Sequence, residues 1–146
     1  MNIKRIFAAT VIASLSVFLY LQLRPRTMGD EDAKAIANWL RSAGLKTGQS
    51  NNVALPASLS AFSTHGCVDV MLLKNGKLAY FLKSTEGFKG NYQGYIYADS
   101  GFPLVIAPDV TGRQTVGIFG LGGGDSYVTV NRKISNNLYA VFSDWG

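Results

Sequence analysis

The stretch VDVMLLKNGKLAYFL, residues 68 to 82, decides the fold class of this chain. Asn75-Gly76 lies between two apolar runs, residues 68–73 and 78–82, and that dipeptide in that setting is the strongest short-range hairpin signal. A two-residue type I′ turn is expected, which needs positive φ at both central positions, with Lys74 and Lys77 facing each other beside it in water. Alternation places Val68, Val70 and Leu72 on one face of the first strand and Asp69, Met71 and Leu73 on the other.

Towards the C-terminus the same pattern recurs. Residues 92–98 read as a third strand between Gly90-Asn91 and Asp99-Ser100-Gly101, and residues 104–107 as a short fourth that ends at Pro108. Residues 116–119, 127–132 and 138–142 complete the set. Short polar turns between such runs predict an antiparallel β-meander of about five to seven strands, whose apolar face needs a cover. Gly94 inside a strand indicates a bulge or the close approach of a neighbouring aromatic ring.

The cover is found upstream. Ala33, Ile36, Ala37 and Leu40 recur at helical spacing with Trp39 beside them, and Asp30-Glu31-Asp32 oppose the positive end of a helix dipole. A helix over about residues 30–43 follows, with Thr27 and Asp30 as a capping box and Gly44 as its stop. Residues 45–52 read as a loop, and Pro56 starts a short turn that carries Leu59 and Phe62. The fold class is therefore α+β, one helix packed on the sheet.

Residues 6–23, IFAATVIASLSVFLYLQL, carry no charge. As a helix they would be about 27 Å long, near the hydrocarbon thickness of a bilayer. Lys4 and Arg5 precede them, Arg24-Pro25-Arg26 follow, and no small-residue cleavage pattern marks their end. The expectation is an uncleaved signal anchor over residues 1–26, an N-terminal transmembrane helix, and a single globular domain over residues 27–146. The short basic tail is easily retained inside, which places the domain outside the cytoplasm.

Charge and composition narrow the function. A hydrophobic fraction of 47% with 16% charged residues excludes general disorder. Of the net charge of +5, Lys4, Arg5, Arg24 and Arg26 supply +4, so the domain is nearly neutral and lacks the basic stripe that nucleic acid requires. One Cys and one His allow neither a disulfide framework nor a multi-histidine metal site, and no cofactor is expected. The glycines at 120 and 122–124 lead into a β-branched run and not a helix, so no nucleotide site is expected there. Gly124-Asp125-Ser126 lacks a downstream histidine base, and His65 with Cys67 lacks a third orienting group. Cys67, opening a strand, reads as a small core residue.

What remains is the strand at residues 92–98. Gln93, Tyr95 and Tyr97 share one face, and with Lys89 they make a candidate polar aromatic platform for a glycan or a protein partner. The expected function is that of a membrane-anchored, non-catalytic module acting by binding, such as a cell-envelope accessory protein. The alternative is a structural subunit of a pilin-like or secretion assembly, with a small enzyme third. The order of apolar segment, helix and antiparallel sheet is similar to that of type IV pilins and pseudopilins. Their glycine-ended leader and early helix glutamate are missing here, and Pro25 interrupts the helix.

Overall fold

The computed structural model describes residues 11–17, 26–87, 91–109, 111–117 and 127–143. These form two helices and one antiparallel sheet of eight strands. Helix α1 covers residues 11–17, with Val11, Ile12, Leu15 and Val17 each more than half exposed. No described helix is long and apolar enough to cross a membrane; residues 6–10 and 18–23 of the expected anchor lie outside the described residues.

Helix α2 is Asp30–Ser42. Its buried stripe is Ala33, Ile36, Ala37 and Leu40, each fully buried, as the spacing predicts. The cap differs: the Asp32 carboxylate accepts the Gly29 N–H at 3.1 Å. Two contacts explain the shift. Met28 is 3% exposed, and its N–H donates to the Tyr95 hydroxyl at 3.3 Å, so the backbone is pinned there and helical winding starts only after Gly29. Ala43 and a left-handed Gly44, φ 66°, end the helix.

The strands are β1 Ser50–Ala54, β2 Cys67–Leu72, β3 Leu78–Glu86, β4 Tyr92–Ala98, β5 Val105–Pro108, β6 Gln114–Gly117, β7 Tyr127–Lys133 and β8 Leu138–Ser143. They number eight, not five to seven. The unforeseen strand is β1, in the segment read as a loop: its Ser-Asn-Asn-Val-Ala sequence has almost no apolar alternation, and it is held as an edge by pairing with β2 alone. A one-turn 3-10 helix, η1 Ser60–Phe62, follows Pro56 and buries Phe62.

The hairpin turn is also different from expectation. Gly76 N–H donates to the Leu73 carbonyl at 3.0 Å, and Leu73 N–H donates to the Lys77 carbonyl at 2.8 Å. The loop is therefore the three residues Lys74-Asn75-Gly76, a tight turn followed by a left-handed glycine, φ 80°. The Asn75 side chain accepts the Lys77 N–H at 3.1 Å, which favours this wider loop and removes the facing of Lys74 and Lys77.

The strand order is β1-β2-β3-β4-β8-β7-β6-β5. This is two four-stranded meanders joined where β4 pairs with β8, not one continuous meander. After β4 the chain crosses to the far edge, and Leu104 of the crossing packs on the face opposite α2. Each face has its own buried cluster. On the helix side Val68, Val70, Tyr80, Leu82, Tyr97 and Leu138 meet the α2 stripe and Phe62. On the other, Phe81, Ile96, Val116, Val128 and Val141 come together.

Gly94 has the close neighbours its position implied. A Cβ there would collide with the Leu82 carbonyl oxygen and lie 3.1 Å from the Phe81 ring. The register between β3 and β4 shifts at Lys83/Thr85, one residue further along.

Candidate binding site

The helix-side face of β4 reads Gln93, Tyr95, Tyr97, and the three share it as alternation requires. They do not share an environment. Tyr97 is 6% exposed beneath α2, its ring stacked on Tyr80 with centroids 5.3 Å apart and its hydroxyl donating to Asp99 at 3.1 Å. Burial, and then the charge of Asp99, push its phenol pKa above the usual range. Tyr95 is half-buried, with its hydroxyl oxygen accepting the Met28 N–H. Gln93 is exposed. Lys89 lies outside the described residues. Of the four expected site residues, the structure thus brings Gln93 and the edge of Tyr95 to an open surface and seats Tyr97 under the helix.

That open surface is where α2 no longer covers the sheet. A recess of about 240 Å³ is lined by Ser84, Gln93, Tyr95, Asn131, Ala140 and Phe142, among others. It adjoins a second of about 400 Å³ at the strand ends, where Thr85, Glu86, Asn91, Gln93, Phe142 and Ser143 contribute. Gln93 and Phe142 belong to both. The register makes them neighbours, since Gln93 pairs with Phe142 across β4 and β8. Thr85, opposite Gln93 on β3, extends the row. Across β7, Thr129 pairs with Phe142 and continues it.

The chemistry of this row is uncharged and polar. Amides from Gln93 and Asn131 and hydroxyls from Ser84, Thr85 and Thr129 flank the half-buried Phe142 ring. Glu86 is the acid at the rim, and its carboxylate is paired with His65 Nε2 at 2.9 Å. On the reverse side, Lys83 Nζ lies over the Tyr92 ring, 4.7 Å from its centre. Burial pushes the Tyr92 phenol up, against a lowering hydrogen bond to Ser143. The arrangement can donate and accept hydrogen bonds and offer one aromatic surface, the combination suited to a neutral polar ligand.

Phe142, Asn131, Ser84 and Thr85 were not among the residues singled out from the sequence. The alternation Leu138, Ala140, Phe142 was visible in it; the pairing of β4 with β8, forty-odd positions apart in the chain, was not.

The other motifs sit elsewhere. Cys67 is half-exposed near the β1 edge, its Sγ 3.8 Å from Asn52 Nδ2, and so is not a core residue; β1 is too narrow an edge to cover it. His65 is an exposed turn residue. The glycines at 120 and 122–124, with Asp125 and Ser126, lie outside the described residues, and the next described element is strand β7. Among the described residues no three of His, Cys, Asp and Glu are grouped so as to hold a metal ion.

Fold and site together define the chain as an α+β domain, one long helix on half of an eight-stranded antiparallel sheet, with an uncharged recess on the uncovered half. Comparison with protein families, curated proteins and solved structures returns no match to this chain.

Proposed function

We propose that this protein is a single-pass membrane protein whose residues 27–146 form a binding domain outside the cytoplasm, acting as a cell-envelope accessory or interaction module and not as an enzyme. The observation that carries the binding reading is the contrast along one sheet face: the α2 half is sealed, while Gln93, Phe142 and their polar neighbours line adjoining recesses. The ligand class that suits them is an uncharged glycan, whose hydroxyls match the amides and whose sugar face fits the Phe142 ring. The membrane reading rests on the charge-free run of residues 6–23 and on the exposed apolar side chains of α1, for which lipid is the natural surrounding.

Titration of the isotope-labelled full chain in detergent micelles with N-acetylglucosamine oligomers tests the site. Amide shifts are expected at Gln93, Asn131 and Phe142, and Gln93→Ala is expected to weaken them without unfolding the domain. Shifts at the opposite strand ends near Asp99, or none at all, would exclude the site. Alkaline carbonate extraction tests the anchor, with retention in the membrane pellet the expected result.

A further inference from the structure

We infer that the turn over residues 56–61 is the face of the domain that rests on the lipid headgroups of the bilayer holding the chain's own N-terminal segment. This rests on the anchor reading above and adds an orientation to it.

Three observations converge. The first is the tether. The apolar run ends at Leu23, and only Arg24 and Pro25 separate it from Arg26, whose guanidinium lies 5.1 Å from the centre of the Phe62 ring and 3.5 Å from Asp32. Two residues later Met28 is already buried and bonded to Tyr95. So short an extended connection spans roughly 10 Å at most, comparable to the interfacial layer on one side of a bilayer. The domain has no slack with which to stand away from the lipid.

The second is where the chain leaves the domain. Arg26 stacks on Phe62 of η1, so the surface beside the exit is that of the η1 turn. Ala57, Ser58 and Ala61 are exposed there, with Pro56 and Leu59 half-buried.

The third is charge. Residues 47–68, which contain β1 and η1, hold no Lys, Arg, Asp or Glu. Lipid phosphates would repel a carboxylate held against them, and this segment has none to repel. The hairpin tip at the other end of β2 carries Lys74 and Lys77, whose charge alone would suit anionic headgroups, so the short tether beside Phe62 and not charge selects the η1 end. Tyr95 both holds Met28 and lines the smaller recess, so the recess opens beside the membrane-facing surface.

The test uses the full chain in vesicles of phosphatidylcholine and phosphatidylglycerol. In a Cys67→Ser background an environment-sensitive fluorophore is placed by Ala57→Cys, independently by Ala61→Cys, and by Lys74→Cys at the far end. Headgroup-spin-labelled lipid is expected to quench the first two severalfold more than the third. Equal quenching at all three in protein that floats with the vesicles would overturn the orientation while leaving the anchor intact. Failure to float would overturn the anchor, and the orientation with it.

Discussion

The two ends of strand β4 present the same face of the same sheet and differ in almost everything else. At the Tyr97 end, α2 lies over the strand, the Tyr97 and Tyr80 rings stack, and Asp99 accepts the Tyr97 hydroxyl, the Leu78 N–H at 2.8 Å and the Arg41 guanidinium at 2.6 Å. At the Gln93 end no described helix lies over the strand, and the same alternation of side chains opens onto recesses. A period of two assigns residues to a face; what lies on that face is decided by the tertiary arrangement. Stability is concentrated at the covered end, which leaves the uncovered end free to be polar.

Perturbing the two ends should separate them. Leu40, fully buried in the α2 stripe, carries the largest expected effect: Leu40→Ala should cost about 2 to 5 kcal/mol in a thermal or denaturant melt. Gly94→Ala comes next, between the two ends, because its Cβ meets backbone at the Leu82 carbonyl and cannot be absorbed by a rotamer change; about 1 to 3 kcal/mol is expected. Asp99→Asn keeps one acceptor oxygen, enough for the Leu78 N–H now on Oδ2. It turns an amide NH2 toward Tyr97 and Arg41, so the Tyr97 hydroxyl must accept instead of donate and the charge opposite Arg41 is lost. Since Arg41 is 39% exposed, solvent screens that pair and the loss should be only about 1 kcal/mol, shrinking with added salt.

Alkali should also act at the covered end. Burial raises the phenol pKa values of Tyr80 and Tyr97, so the folded state holds those protons after the unfolded chain has released them. Stability is therefore full below about pH 10, the unfolded phenol value, and falls as pH rises beyond it. Phenolate absorbance should lag in the folded chain and complete its rise only as circular dichroism is lost. The smallest effect belongs to the open end, where Gln93→Ala should leave stability within about 0.5 kcal/mol. A destabilisation as large as that of Leu40→Ala would show that Gln93 is structural and remove the basis for a site there.

How much of this the sequence disclosed depended on the range of the interaction. The α2 stripe and the alternation of β2 and β4 are local periodicities, and they were legible to within a residue or two. The Gly94 contact was legible because a glycine in an aromatic-rich strand has few other uses. The Asn75-Gly76 loop was placed correctly but given the wrong length, since the Asn75 side-chain bond that widens it leaves no mark on the pattern. β1 was missed because its partner, not its composition, makes it a strand. The site was half legible: Gln93 and Tyr95 reach the open surface, while Tyr97 is covered by a helix lying more than fifty positions earlier in the chain, and Phe142 joins only through the β4–β8 register.

Hydroxyl-radical footprinting of the full chain, read by mass spectrometry, tests the contrast between the two ends most directly. The account predicts ready modification of the half-buried Phe142 and Tyr95, with Tyr97 and Tyr80 protected until the domain is denatured. Modification of Tyr97 in the native protein as fast as that of Phe142 would contradict it, because the face would then be open along its whole length.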